Sequence, residues 1–311
     1  MHVLGIDAGG TKTVCLLADA NGTVLAEVRG AGANLQASGE LEVEKVLHDV
    51  MERALSDHDI RPDAICLGIA GVDRARDADA IRSVMRRIGF KTRVLVVNDA
   101  LVALAAGAGD EQGVVIVSGT GSIAYGRDAM GRAARAGGWG YLLGDEGGGF
   151  WIGRSALAAV VRQFDGRGPA TMLTEMVLRH MQLESPTDLI HAIYDRGIQR
   201  LAVASIAAIV QQAFEHGDVV ASDILRRATA ELASAATAVI QRLGMRGDMF
   251  PIVLAGGAFH GIPSLVTGVA ATLSDVAPRS EVRLLQVEPA VGAVRLALAH
   301  ARGGVTVPQY V

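Results

Sequence analysis

The chain has 311 residues, half of them hydrophobic and a fifth charged, which excludes a disordered chain and gives room for about two domains. Twenty-nine Lys and Arg against 33 Asp and Glu leave a net charge of −4, and aromatic residues are only 4%. Nucleic-acid binding and a polybasic membrane contact are therefore not expected.

The predicted elements begin with strands at His2–Asp7, Val14–Asp19 and Thr23–Arg29, the last two joined through Asn21-Gly22, a strong hairpin signal. Apolar residues at helical spacing mark Glu40–His58 as a helix. Strand Ala64–Ala70, helix Ala75–Ile88, strand Val94–Asn98 and apolar helix Ala100–Ala108 complete a βββαβαβα order. The later strands are apolar along their whole length, as central parallel strands covered on both faces should be. A second part opens the same way, with strands at Gly113–Ser118, Ser122–Arg127 and Arg132–Ala136. Helices are expected over most of Phe150–Leu243, the one at Leu201–Phe214 apolar on most sides and so buried. Strands at Pro251–Ala255 and Val282–Val287 flank a helix at Ile262–Ser274, and a last helix runs over Ala290–Ala301. The repeated opening, strand, Gly/Thr/Ser turn, strand, suggests a structural duplication.

The two cysteines, Cys15 and Cys66, fall in predicted strands and have no metal-ligand spacing. Buried thiols in a reducing compartment are expected, rather than disulfides or a metal centre. The N-terminus lacks the basic and apolar regions of a signal peptide, and no run approaches the roughly 18 apolar residues of a membrane span. A cytoplasmic protein is expected.

Glycine is the outlier, with 38 residues, about 12% where about 7% is usual. Its clusters carry the candidate chemistry. Asp7-Ala8-Gly9-Gly10-Thr11-Lys12 puts an acid at a strand end, then glycines that admit backbone N–H groups to phosphate oxygens, then a hydroxyl and a lysine. Such an acid suits a hydrated Mg²⁺. Ser118-Gly119-Thr120-Gly121-Ser122 repeats the arrangement between the strands of the second part. Neither turn is a Walker A loop, and the GxGxxG dinucleotide fingerprint is absent. Either turn alone reads equally well as a tight hairpin; the pair in matching positions does not. Ala255-Gly256-Gly257-Ala258, between a strand and a helix, suits a nucleotide's base and ribose.

Asn98-Asp99 ends a predicted parallel strand and starts a helix. Asp99 is either an N-cap or a general base facing the crevice where α/β ligands bind, and Asn98 can take the cap if Asp99 takes the base. Seven glycines in the thirteen residues from Gly137 to Gly149, around Trp139, Asp145 and Glu146, exceed what a packed core needs. They look like a loop that hugs a polar ligand; the alternative for Asp145 and Glu146 is charge stabilisation of the N-terminus of the helix that follows.

GIDAGGTKT, VNDA, VSGTGSIAYG and GGWGYLLGDEGGGFWIG, in this order across essentially the whole chain, resemble the sugar kinase, Hsp70 and actin ATPase superfamily. Within it they are similar to the N-acetylglucosamine kinase and BadF/BadG/BcrA/BcrD ATPase group. The Cys-rich zinc motif of the related ROK sugar kinases is absent. The resemblance implies an α/β fold of two ribonuclease-H-like, actin-like ATPase lobes around a central ligand cleft. The first lobe would hold residues 1–112 and 289–311, the second 113–288.

By the same resemblance Asp7 is the Mg²⁺-linked acid. Gly9, Gly10, Thr11 and Lys12 form the first phosphate turn, and Gly119, Thr120 and Gly121 the second. Gly256 and Gly257 form the adenosine turn. Asp99 is the catalytic base and a sugar contact. Asn34, Ser122, Gly138, Trp139, Gly140 and Asp145 are further sugar ligands. The implied activity is ATP- and Mg²⁺-dependent phosphorylation of an amino sugar, N-acetylglucosamine or glucosamine, at its 6-hydroxyl by a homodimer. The alternatives are an ATPase activase of an electron-transfer partner, which needs cluster-holding cysteines, a broad-specificity hexokinase, or a non-catalytic sugar sensor, which has no need of a base.

Overall fold

The computed structural model describes residues 1–58, 60–72, 74–195, 199–304 and 309–311. The first part runs β1 (His2–Ala8), β2 (Lys12–Asp19), β3 (Val24–Ala31), α1 (Leu35–Ser38), α2 (Glu40–Leu55), β4 (Ala64–Ile69), α3 (Ala75–Arg87), β5 (Arg93–Asn98) and α4 (Asp99–Ala108). The second continues with β6 (Gly113–Ser118), β7 (Ser122–Arg127), β8 (Arg132–Gly137), α5 (Gly149–Phe164), α6 (Leu173–Met181), α7 (Asp188–Ile190), α8 (Arg200–Glu215) and α9 (Val219–Leu243). It ends with β9 (Pro251–Ala255), α10 (Gly257–Gly261), α11 (Pro263–Val276), β10 (Glu281–Leu284), α12 (Ala290–Ala301) and β11 (Gln309–Tyr310).

The strands form two sheets, ordered β3-β2-β1-β4-β5 and β10-β9-β6-β7-β8-β11. In the first, β1 pairs antiparallel with β2 and parallel with β4. In the second, β6 pairs antiparallel with β7 and parallel with β9. The duplication expected from the repeated opening is thus present as two sheets of one connectivity.

Side-chain alternation along the strands builds three cores. Leu4 and Ile6 of β1 pack outward with α2 and α3, while Val3 on the opposite face joins α4 and α12. Val114 and Ile116 of β6 pack outward with α5, α8, α9 and α11, while Val115 faces α4, which in turn packs on α12. These two helices are therefore a shared middle layer between the sheets. Small residues allow the close approach. A Cβ on Gly5 would lie 2.4 Å from the Val294 amide of α12, and one on Gly292 would lie 2.0 Å from the Val102 carbonyl of α4.

Several expectations need correction. The Leu201–Phe214 helix is not buried all round: Leu201 and Phe214 are exposed, and only the face with Val203, Ile206 and Val210 packs inward. Its apolar residues outnumber what one buried stripe requires. The strand expected at Val282–Val287 stops at Leu284, which pairs with Leu254, one residue before the end of β9. The segment expected to return whole to the first lobe divides. α12 packs on β1 and β4, but β11 pairs with β8 at the edge of the second sheet. Residues 305–308 of that segment, and 196–198 of the expected helical stretch, lie outside the described residues. Cys15 and Cys66 are buried and free in β2 and β4. Among the described residues no helix is long and apolar enough to cross a membrane.

Candidate active site

Asp7 lies near the end of β1, on the face that Val3 and Gly5 turn toward the middle layer. The turn after it closes through the Gly9 amide, which donates to the Lys12 carbonyl at 3.0 Å. The Gly9 carbonyl accepts from the Ala33 amide, also at 3.0 Å, and so ties the turn to the segment carrying Asn34. Gly32 is required for this approach, because a Cβ there would sit 2.4 Å from the Gly10 carbonyl. Asn34 itself lies against Gly71, just beyond β4. The first turn and Asn34 therefore form one assembly at the carboxyl ends of β1 and β4.

Asp99 is the first residue of α4, and Asn98 is its cap, with Oδ1 accepting from the Ala100 amide at 2.8 Å. Asp99 Oδ1 lies 3.0 Å from the same amide. The cap is thus supplied by Asn98, and Asp99 sits half-buried at the positive end of α4. Burial pushes the Asp7 carboxyl up to about 8; the nearby charge of Asp99 adds to the rise and Lys12 opposes it. Asp7 and Asp99, at the ends of β1 and β5, are thus close enough for the charge of one to act on the other.

The Lys12 ammonium donates to Glu288 Oε2 at 2.7 Å and Oε1 at 3.1 Å, and Arg29 reaches Glu288 Oε1 at 2.9 Å. Burial raises the Glu288 carboxyl, but the two cations more than reverse this and hold it below the usual carboxylate range. Glu288 stands just before α12, so this cluster binds the first turn to the middle layer.

The second turn closes on itself, the Gly119 amide donating to the Gly121 carbonyl at 2.9 Å. The glycine loop is laced to it. The Gly149 and Phe150 amides donate to the Gly119 and Thr120 carbonyls, at 2.7 and 3.0 Å. The hydroxyls of Ser118 and Ser122 donate to the carbonyls of Gly147 and Glu146, at 2.9 and 2.6 Å. Asp145 is buried, holds a left-handed φ of 59°, and accepts from the Gly140 amide at 3.1 Å. Burial raises its carboxyl above the usual range. Gly121 leaves the space it fills, since a Cβ there would lie 2.3 Å from Asp145 Oδ2. Gly138 is seated on Ile123, and its amide donates to the Ser122 carbonyl at 3.0 Å. Gly256, with φ of 101°, lies against the Ser118 carbonyl, while Gly257 has open space where a Cβ would stand.

The two assemblies meet where the Thr11 and Thr120 hydroxyl oxygens lie 3.2 Å apart. Of the residues singled out from sequence, Asp7, Gly9, Gly10, Thr11, Lys12, Asn34 and Asp99 gather on the first side. Gly119, Thr120, Gly121, Ser122, Gly138, Gly140, Asp145, Gly256 and Gly257 gather on the second. Trp139 stands apart: its ring is 60% exposed and carries the Arg135 guanidinium 4.8 Å from its centroid. Sequence reasoning missed Glu288, Ser118 and Arg200. Ser118 lay inside a recognised motif, but Glu288, which the fold brings to Lys12, and Arg200, whose guanidinium lies over the Tyr141 ring at 4.3 Å, had no local signal, because only the tertiary fold brings them there.

Two sheets of one connectivity, with equivalent Gly/Thr turns meeting at their hydroxyls, define the two-lobed ribonuclease-H-like fold of the actin-like ATPases. The chain belongs to the BadF/BadG/BcrA/BcrD ATPase family, whose model matches residues 4–297. It is 37% identical over 299 residues to an N-acetylmuramic acid/N-acetylglucosamine kinase of Clostridium acetobutylicum, covering 95% of this chain and 98% of that one. It is 34% identical over 309 residues to an N-acetyl-D-glucosamine kinase of Dictyostelium discoideum, covering 95% and 97%. Its fold is similar to a solved structure from Chromobacterium violaceum named as a proposed N-acetylglucosamine kinase. The TM-score is 0.78 at 27% identity, covering 96% and 98% of the two chains.

Proposed function

We propose that the protein is an ATP-dependent kinase that phosphorylates an amino sugar, N-acetylglucosamine or glucosamine, at the 6-hydroxyl. The observation that carries this reading is the convergence of Asp7, Asp99 and two Gly/Thr turns whose hydroxyls lie 3.2 Å apart. Phosphoryl transfer depends on positioning and charge neutralisation more than on covalent chemistry. The amides and hydroxyls of Gly9–Thr11 and Gly119–Gly121 would hold phosphate oxygens, with Gly256 and Gly257 beside the adenosine. Asp99 would accept the proton of the sugar hydroxyl as it attacks in line. Asn34 from the first side and Ser122, Gly138, Trp139, Gly140 and Asp145 from the second would hold the sugar. In this reading the protein works in the cytoplasm as a homodimer.

Asp7 fits a Mg²⁺ site. Its buried carboxyl is costly to ionise beside Asp99, and a divalent cation relieves that cost. Among the described residues no three His, Cys, Asp or Glu side chains converge as a metal site. The donor set therefore suits Mg²⁺, which draws most of its ligands from phosphate and water. When bound, the ion would neutralise charge on the triphosphate.

The activase alternative needs thiolates that can reach a cluster between subunits. Cys15 and Cys66 are both buried, and burial pushes the Cys15 thiol up to about 12 and Cys66 further. A coupled ADP-release assay over a panel of amino sugars and plain hexoses, with the product position read by phosphorus NMR, tests the proposal. Sugar-dependent ADP release with a 6-phosphate product is expected. Sugar-independent hydrolysis alone, or preference for a plain hexose, would refute it.

A further inference from the structure

We propose that Glu288 competes with nucleotide phosphates for the Lys12 ammonium, and so weakens the hold of the site on ATP and on the ADP that must leave it. Glu288 acts through Lys12 and is therefore a positioning residue. This rests on the reading of the first turn as a phosphate turn of an ATP-dependent kinase, and names what sets its affinity.

Lys12 closes the first turn, its carbonyl accepting from the Gly9 amide at 3.0 Å. Its ammonium donates to both oxygens of Glu288, at 2.7 and 3.1 Å, and has no other hydrogen-bond partner among the described residues. Glu288 belongs to a different element. It stands between β10 and α12, directly before the Pro289 cap, and its carbonyl accepts from the Val291 amide at 3.0 Å. The carboxylate is thus anchored at the start of α12 and does not follow the turn. Arg29, opposite Val14 in the pairing of β3 with β2, reaches the same carboxylate at 2.9 Å and Glu27 at 2.7 Å. After burial and Asp99, the charges of Lys12 and Glu288 are the next to act on the Asp7 carboxyl, the first lowering it and the second raising it. The pair therefore lies beside the acid expected to meet Mg²⁺ and the phosphates.

In this cluster two carboxylates face two cations, so the charge of Lys12 is neutralised within the protein. The pair is nevertheless easy to open. The Lys12 side chain is 50% exposed, and ion pairs so exposed are weakly held. A phosphate oxygen offers the ammonium a charge-assisted hydrogen bond in exchange. Arg29 stays on Glu288 when Lys12 leaves, so the exchange strands no carboxylate. The residue type suits an exchange as well. Only three of the 29 basic residues are lysines, and one of them stands here. Lysine is a point charge on a flexible stem that can turn from one anion to another, whereas an arginine fork would stay bidentate on the carboxylate. Removing the Glu288 charge would loosen the Lys12 stem, which costs affinity through side-chain entropy. It would also end the competition and add one net positive charge beside the phosphates, and this second effect is the larger.

The test is calorimetric titration of ATP and ADP, with KM for the sugar, in the wild type, Glu288→Gln, Lys12→Met and the double variant. Glu288→Gln should lower Kd for both nucleotides about five- to tenfold and leave KM for the sugar within about twofold. In the Lys12→Met background the same substitution should change either Kd by less than about twofold, because the contested ammonium is gone and Arg29 already neutralises the carboxylate. Should Glu288→Gln not fold, Lys12→Arg makes the test from the other side: with the charge kept but the fork retained by Glu288, both Kd values should rise about fivefold or more. Unchanged or weaker nucleotide binding in Glu288→Gln would make Glu288 a passive anchor. An equal shift for sugar and nucleotide would make it a strut of the fold. An undiminished gain in the Lys12→Met background would show that it does not act through Lys12. Each overturns the proposal, as does a Lys12→Arg variant that binds nucleotides as tightly as the wild type. A wild type that binds neither nucleotide would instead overturn the reading of the turn as a phosphate turn.

Discussion

The hydroxyls of Thr11 and Thr120, 109 residues apart in the chain, lie 3.2 Å from each other at the tips of two equivalent turns. Each follows the strand that opens its sheet, β1 or β6, and each precedes an antiparallel partner. In the proposed ATP site two hydroxyls this close would present a donor pair to one phosphate. Thr11→Val and Thr120→Val keep the β-branched shape and remove one donor each. Each should raise KM for ATP about tenfold or more, the worth of a hydrogen bond to a charged group. KM for the sugar should change less than about twofold. Equal effects on both substrates in steady-state kinetics would remove these hydroxyls from the nucleotide site.

Asn98 and Asp99 divide two tasks that the sequence left open to Asp99. Asn98 supplies the side-chain cap of α4, so Asp99→Asn should retain the fold and ligand affinity while kcat falls about 10²–10⁴-fold. Asn98→Ala should do the reverse, costing roughly 1 kcal/mol of stability. A kcat within about threefold of wild type for Asp99→Asn, measured with saturating sugar and ATP, would end its assignment as the base.

Asp7 gives the site a pH signature. Its carboxyl is raised from an ordinary 3.8 to about 8, first by burial and then by Asp99. Folding therefore favours the protonated acid. The associated stability is complete below the unfolded value and is lost as pH rises toward 8. In nucleotide-free protein Asp7→Asn should melt higher than wild type at pH 8.5, by a margin that narrows at pH 5. Each kcal/mol corresponds to roughly 2–4 °C. The variant should also lose the stabilisation that Mg²⁺ and ATP give the wild type. Scanning fluorimetry across pH makes the comparison, and a lower melting point for Asp7→Asn at pH 8.5 would contradict the assigned burial cost.

Strand periodicity and turn chemistry made most of the fold legible. The three-strand openings, the helix at Ala290–Ala301 and both Gly/Thr turns are where the pattern puts them. The site was legible wherever function is written in backbone, as at Gly121, which gives Asp145 its space, and Gly256, which lies against the Ser118 carbonyl. It was not legible where side chains arrive from distant elements. Glu288 reaches Lys12 across 276 residues, and Arg200 meets Tyr141 only because α8 docks on α5. The pairing of β11 with β8 escaped notice because a two-residue strand carries no periodicity.

Gly121 tests the link between the second turn and the sugar loop. A methyl group there would stand 2.3 Å from Asp145 Oδ2 and 2.8 Å from its Cγ, so the carboxylate must move. Gly121→Ala should raise KM for the sugar about tenfold or more, because Asp145 no longer accepts from Gly140 in its present place. Asp145→Asn, which tolerates the left-handed φ, should keep the loop fold but lose the sugar contact to a similar extent. Unchanged sugar KM in both variants would detach Asp145 from the substrate.

Closure of the two halves is the remaining expectation. The chain passes from the first sheet to the second between α4 and β6, returns between β10 and α12, and rejoins the edge of the second sheet at β11. α4 packs against both sheets and α12 packs on the first sheet and on α4, so this helix pair is the pivot about which the sheets can rotate. Several crossings permit a rigid-body rotation that a single flexible linker would leave uncontrolled. Asn34 stands with the first turn, while Asp145 stands with the second. A sugar bound to both sides has greater affinity for the closed arrangement, and that difference is what shifts the population. Saturating sugar should therefore reduce the radius of gyration in small-angle scattering and change tryptophan fluorescence, since the exposed Trp139 ring lies on the moving loop. In Asn34→Ala the same compaction should require about tenfold more sugar, the loss of one ligand hydrogen bond. Identical scattering of the free and sugar-saturated protein, with no fluorescence change, would rule out closure while leaving the kinase chemistry intact.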